Sequence, residues 1–467
     1  MSLLGALGLT ANGPWLVGVV GENFPMAHDE ALFEGGLERE KSEGSSERTS
    51  ARVQRPDRKQ LEWRPSTLDD LLPSDHRARL VWARTEMLDL TPMYERIGAT
   101  ETTPGRPAID PRILLALWLF ATLEGVGSAR ALDRLCKEHV AYLWICGGVG
   151  VNRDALAAFR RGHEEDLDVL LSQAVAAMIS EGLVEMKCVA QDGMRVRASA
   201  GQASLRGKKR LRALEKEARR QVQALKRELD GDNAAETKRC EAARKRAAQD
   251  RHGRLKQAMA KAKELEGERE DVSPSKRRRY YASPVRVSTT DPEARKMRMG
   301  DGGYRVAYNA QLATDVETHV IVGVDLTASG TDAGELGRMA EQVRKRYGRL
   351  PKSWLADAGF TYHADIERLA CELDVYAPPQ RFAKGVDPCT PRPRDTSAIL
   401  AWKQRMASDP GQALYGRRLP VAEGVNAQAR NRGLIRFPVR GRRPARAVLL
   451  LYALAHNMSR EWALRAA

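Results

Sequence analysis

Between Pro65 and Leu183 the apolar residues recur at helical spacing. Asp110 followed by Pro111 predicts a helix start: a carboxylate cap, then the residue whose missing N–H costs nothing at that position. The run ILLALWLFATLEG (113–125) is almost wholly apolar and predicts a buried helix ended by Gly125 and Gly127. Ser128 is placed to cap a second helix, SARALDRLCKEH. A third is predicted over DALAAFRRGHEEDLDVLLSQAVAAMISEG, with Arg160, Arg161 and His163 near its N-terminal half. Short helices with a basic one among them fit a helix-turn-helix-like DNA-binding module, or a plain bundle whose arginines face solvent.

Past Leu183 the period shortens. VEMKCVAQDGMRVRA (184–198) predicts a strand, and AYNAQLATD (307–315) with HVIVGVDL (319–326) predicts a hairpin. KSWLADAGF (352–360) predicts a short strand ending at Asp357, and VYAPP another. Helices are expected over DAGELGRMAEQVRKRYG, where Asp332 and Glu335 offer a capping box, and from about His363 to Leu373. Pro420 and Gly433 bracket a helix with Glu423 in its first turns, and residues 447–466 predict an apolar helix docked on the core. Inside this α/β pattern lies a charge run from about Leu205 to Glu270. Leu211, Leu214, Ala218, Val222, Leu225 and Leu229, then Leu255, Met259, Ala262 and Leu265, keep a spacing of three or four. That spacing predicts a helical hairpin turned at DGDN (230–233), its charge most simply a solvated face. SPSKRRRYYASP (273–284) reads as an exposed basic connector, and QRFAKGVDPCTPRPRD (380–395) as a loop.

Charge adds a partner. Lys and Arg number 77 against 61 Asp and Glu, a formal charge of +16. Such a surplus points to a polyanion, nucleic acid before membrane. The six cysteines form no CxxC pair, which argues against a zinc ribbon or a disulfide framework and for a reducing, cytoplasmic setting. The apolar N-terminus has no Lys or Arg before its apolar run and is broken by Asn12, Gly13 and Pro14, so it is not read as an export signal. Residues 1–60 are expected to be a disordered extension, with Met26 as a candidate natural start. No stretch reaches 18 unbroken apolar residues, so no membrane is expected. The absence of GxxxxGK[ST], HExxH, GxSxG and a strand-borne GxGxxG leaves no nucleotide cofactor in the reading.

Three carboxylates stand at comparable places: Asp192 on the first strand, Asp357 at a later strand tip, and Glu423 on a late helix. From Tyr415 to Arg446 there are nine arginines, and Glu423 is the one acid among them. Carboxylates converging at strand ends can hold two divalent cations about 4 Å apart for in-line phosphoryl displacement. An oxygen-only set suits two ions of Mg²⁺ or Mn²⁺. Arg436 and Arg440, with Arg442, Arg443 and Arg446, read as electrostatic footing on phosphates.

Tyr415, Arg418, Glu423 and Arg430, at that spacing, resemble the Y-R-E-K signature of DDE transposases from bacterial insertion sequences, with Arg430 where the family usually has Lys. VAQDG around Asp192 and LADAGF around Asp357 resemble the surroundings of the family's first two catalytic aspartates. STTDPEARKMRMGDGGYRVAYNAQLATD (288–315) and GRPAIDPRILLALWLF extend the likeness to roughly residues 60–460. The resemblance implies an α/β chain with an RNase H-like mixed five-stranded sheet and flanking helices. An all-α N-terminal domain would precede the sheet, and a charged helical hairpin would interrupt it. The implied layout is a helical DNA-binding domain over 61–183, a catalytic domain over 184–204 and 285–467, and an insertion with its connector over 205–284. Asp192, Asp357 and Glu423 would be the catalytic, metal-binding triad. Tyr415, Arg418 and Arg430 would contact DNA near it, and Arg160 and Arg161 would contact DNA from the helical module. The implied activity is binding of an element's terminal inverted repeats, metal-dependent strand cleavage and strand transfer. Double-stranded DNA would be the partner and a homodimer the assembly on it. The other reading is a catalytically silent, transposase-derived DNA-binding protein or repressor.

Overall fold

The computed structural model describes residues 67–98, 107–228, 235–271, 283–381 and 385–466. The expected extension over 1–60, the DGDN turn and most of the 273–284 connector lie outside these residues.

Two short helices, α1 (Arg77–Glu86) and α2 (Thr91–Tyr94), lead into α3 (Pro111–Leu123). α3 begins as its sequence predicts: Asp110 accepts the Arg112 N–H at 2.7 Å, and Pro111 opens the helix. Leu115, Leu117 and Leu119 are completely buried. Each contributes about 1.5–3 kcal/mol of burial. Ser128 caps α4 (Ala129–Glu138), and α5 (Val140–Cys146) follows. The expected single third helix is two, α6 (Arg153–Gly162) and α7 (Glu164–Ser180). Gly162 is a weak helix former, and His163 leaves helical geometry while its Nδ1 meets Asp166 at 2.7 Å. Glu164, Glu165 and Asp166 then supply the acidic first turn that favours a fresh start.

Strand β1 (Cys188–Arg197) is central to the sheet. After it come β2 (Leu205–Gly207), the hairpin helices α8 (Lys208–Glu228) and α9 (Ala235–Glu270), and β3 (Arg286–Ser288). β2 and β3 pair into a two-stranded ribbon at the foot of the hairpin. Its seam closes on Leu211, Ala218, Leu255, Ala258 and Ala262, in line with the predicted spacing. β4 (Arg295–Arg298), β5 (Tyr304–Asp315) and β6 (Ile321–Thr327) follow, then α10 (Glu335–Tyr347), β7 (Ser353–Leu355), α11 (His363–Leu369) and β8 (Asp374–Tyr376). β5 runs antiparallel along one edge of β1, while β7 and then β8 lie parallel on the other. The far edge of β5 is shared by β6 and the short β4, which adds a sixth strand to the five expected. The order β6-β5-β1-β7-β8, three antiparallel strands and then two parallel ones, is RNase H-like. Asp332 is not the cap of α10; Gly334, at φ 84°, precedes that helix.

The chain ends in α12 (Ser397–Ala407), α13 (Asp409–Gly416), α14 (Arg418–Asn431) and α15 (Arg442–Ala466). α15 carries the buried run Leu449–Leu454 and packs on α3, α7 and β6, so helices and sheet share one core. Asn457 pairs its amide with the Ile321 peptide, giving and accepting at 2.8 Å, and so satisfies part of the β6 edge from the helix side. Of three arginines expected on phosphates, Arg446 is turned inward as a tie bar, while Arg442 and Arg443 stay exposed and form ion pairs at the surface. Arg446 reaches Glu164 at 2.5 Å and Asp168 at 2.8 Å, Arg443 lies 3.3 Å from Glu164, and Arg442 lies 3.5 Å from Asp325. No described helix is long and apolar enough to cross a membrane.

Candidate active site

β7 pairs with β1 only from Cys188 to Ala190, then leaves the sheet. Its departure opens the flank of β1 at Asp192, two residues on, and sets Asp357 just past the neighbouring strand's tip. This is the strand-end crevice where α/β sheets admit ligands. Asp357 accepts the Gly359 N–H at 2.7 Å, which fixes the turn that aims it.

α14 forms the facing wall. Arg418, Val421, Ala422, Val425, Asn426 and Ala429 recur at helical spacing and form its buried face. Val421 and Ala422 pack on Cys188, Ala190 and Leu355, beneath the two aspartates. That packing carries Arg418 and Asn426 into the crevice. Arg418 Nη2 lies 3.1 Å from Asp192 Oδ1 and 3.7 Å from Asp357 Oδ2, so one guanidinium nitrogen serves both carboxylates. Asn426 Nδ2 donates to Asp192 Oδ2 at 2.9 Å, and the Gly193 N–H donates to Oδ1 at 2.9 Å. Glu423 and Arg430, seven residues apart, emerge at the edge of the same helix. They line an open cleft of about 540 Å³ with Asp192, Gly193 and Asn426.

Burial pushes the Asp192 carboxyl up from its ordinary range, against the pull of Arg418 and the Gly193 N–H; Asp357 and Asp332 add to the upward push. Burial likewise raises the Tyr415 phenol, which is half-buried beside Arg418. Among the described residues no three His, Cys, Asp or Glu side chains converge as a finished metal cage. The donor set nevertheless fits a hard cation: carboxylates already drawn around one positive group, and a buried Asn426 Oδ1 without a hydrogen-bond partner beside them.

The expected DNA contacts divide. Arg430, Arg436, Arg440 and Arg161 are exposed, although Arg161 Nε also bonds its own helix at Ala157 O. Arg436 and Arg440 lie outside the residues lining the cleft. Arg160 is corrected: it is buried, stacks over Trp118 at 4.2 Å and donates to Gly127 O at 2.6 Å, so it braces α6 and is not presented to a ligand. Burial lowers its pKa to about 10. Arg418 is buried too, turned onto the carboxylates and away from solvent.

Asp332 is the neighbour that sequence reasoning missed. Its Oδ1 accepts from Asn309 Nδ2 at 2.6 Å and Gln311 Nε2 at 2.8 Å, both on β5. A Cβ on Gly193 would stand 2.6 Å from that oxygen, so the residue after Asp192 has to be glycine for this group to sit behind the crevice. The alternation of AYNAQLA, with Asn309 and Gln311 on one face of the strand, was the available signal.

A family model described as Transposase domain (DUF772) matches residues 66–161, and one described as Transposase DDE domain matches residues 282–458. The two spans cover more than half of the chain. Asp357, Glu423 and the arginines of α14 fall within the second, and Asp192 falls between the two. No curated protein and no solved structure matches the chain.

Proposed function

The chain belongs to the DDE-type transposases of insertion sequences, and from that premise we propose that it binds its element's terminal inverted repeats and cuts and joins DNA at the Asp192 cleft. Hydrolysis would break a P–O3′ bond at the element end and leave a free 3′-hydroxyl. In joining, that hydroxyl oxygen would bond to a target phosphorus while the target's own P–O3′ bond breaks. Two ends have to be paired for this, so a homodimer is the proposed assembly on DNA.

The observation that carries the reading is the meeting of Asp192 and Asp357, far apart in sequence, on one guanidinium nitrogen, with Glu423 lining the same cleft. Asp192, Asp357 and Glu423 would hold Mg²⁺ or Mn²⁺. Such ions supply a polarised nucleophile and charge stabilisation for the leaving oxygen. The protein's own groups do the rest. Asn426 and the Gly193 N–H fix the Asp192 carboxylate, and the Gly359 N–H fixes Asp357. Arg418 balances the charge of both acids from the buried side of α14. Arg430, exposed at the cleft edge, is placed to take a phosphate bidentately.

The test uses labelled element-end duplexes, Mg²⁺ and purified full-length protein. Wild type should nick at the end. Asp192→Asn should bind equally well and nick at least about 1,000-fold more slowly, the equivalent of several kcal/mol of lost charge stabilisation. If wild type and variant both bind and neither nicks, the chain is a silent DNA-binding relative and the enzymatic reading is lost.

A further inference from the structure

The α8–α9 hairpin separates its charges in a way a merely solvated hairpin does not need. On α8, Lys209, Arg212, Lys216, Arg219, Arg220 and Arg227 are all exposed. At 3.6 residues per turn they fall within an arc of about 100°. The arc lies opposite Leu211 and Ala218, which face α9 in the hairpin core. The two acids on α8 with described side chains, Glu215 and Glu217, lie outside the arc and turn to α9, meeting His252 at 2.9 Å and Arg251 at 3.5 Å. Among the described residues no hydrogen bond or ion pair engages any of the six cations.

α9 is the internal control. Its exposed cations without a described ion pair, Arg244, Arg246, Lys256 and Lys263, spread over about 200° of the helix and form no single stripe. Several of its acids pair: Glu264 with Lys261 at 2.5 Å, Glu266 with Lys208, and Glu268 with Arg295 at 3.4 Å. Paired opposite charges three or four residues apart favour a helix, and like charges at the same spacing oppose it. α8 places like charges at Lys209/Arg212, Arg212/Lys216, Lys216/Arg219 and Lys216/Arg220. The helix carries that repulsion on one face while Glu215 and Glu217 turn to α9. A polyanion laid along the face would relieve it. From Lys209 to Arg227 the row is about 27 Å long, enough to run beside about eight base pairs of duplex. None of the six lines the Asp192 cleft.

We infer that α8 is a second DNA-binding surface, a cationic track seating the phosphate backbone of duplex DNA irrespective of sequence and apart from the catalytic cleft. The inference rests on the DNA-handling role proposed above. It assigns that role's backbone grip to the insertion, where the charge had read as a solvated face.

The experiment measures binding of full-length protein to a fluorescent duplex of unrelated sequence across a salt series. Three proteins are compared: wild type; a stripe variant with Lys209→Gln, Arg212→Gln, Lys216→Gln, Arg219→Gln, Arg220→Gln and Arg227→Gln; and a control with Arg244→Gln, Arg246→Gln, Lys256→Gln and Lys263→Gln on α9. The stripe variant should bind at least about 100-fold more weakly at 0.1 M salt, with the log–log salt slope reduced by about 3 to 5. The control should lose less than about 5-fold. At low salt and saturating DNA the stripe variant should still nick element ends. If the stripe variant melts early, the triple variant Arg212→Gln, Arg219→Gln, Arg227→Gln replaces it, with about half the slope change. An unchanged slope, an equal loss in the α9 control, or a loss confined to binding of anionic phospholipid vesicles overturns the track and leaves the nuclease reading standing. Failure of the wild type to bind any duplex sinks both.

Discussion

Two populations of arginine occupy this molecule, and the sequence presents them alike. Arg446, Arg418 and Arg160 are turned inward onto Glu164 and Asp168, onto Asp192 and Asp357, and onto Trp118 and Gly127. Arg430, Arg440 and the row along α8 are turned outward. The inward group fixes the scaffold and the carboxylates. The outward group is free for phosphate. Net charge alone overstates the cationic surface, because part of it is spent inside.

The comparison breaks most readily at Arg446. Arg446→Ala takes a half-buried partner from Glu164 and Asp168, which keep only Arg443 and Arg346, and should cost about 3 kcal/mol in urea unfolding. If it costs no more than an exposed arginine, the inward class has no energetic meaning. The interior can also be probed by pH. His456 is buried, and burial pulls its pKa down to about 4 while its Nε2 donates to His319 O at 2.9 Å. Between pH 6.5 and 4 the unfolded chain therefore binds a proton that the folded chain refuses. Stability should be full above pH 6.5 and fall by on the order of 3 kcal/mol by pH 4. His456→Gln should flatten that part of the melting-temperature profile. Next in size is Arg430→Gln, expected to slow end cleavage about 10-fold, or about 1.4 kcal/mol, without moving the urea midpoint. The smallest effect belongs to Arg440→Ala, which should stay within about 0.5 kcal/mol in stability.

What could be read beforehand follows the same division. Strand periodicity located β1, β5 and β6, and the family-like contexts of Asp192 and Asp357 placed both at the crevice, because such signals are local. The break at His163 was hidden because the apolar spacing runs through it; a glycine and one side-chain bond decide it. α12 was missed behind a Pro-rich loop, although Ile399, Trp402 and Met406 are its buried face. Asp332 satisfied a capping-box pattern with Glu335, but its partners are Asn309 and Gln311 on another strand, a long-range fact no local rule reports. Arg160 failed for the same reason, since the ring it covers lies on α3.

The place of α15 has a consequence for synthesis. A ribosome extending the chain at about 5–20 residues per second needs about 20 to 90 seconds for these 467 residues. The helix packing on α3, α7 and β6 emerges after all three of them. Until then α3, α7 and β6 have no cover from that side. A chain stopped anywhere before Arg442 therefore lacks that cover and should fall to proteases and chaperones before its core can close.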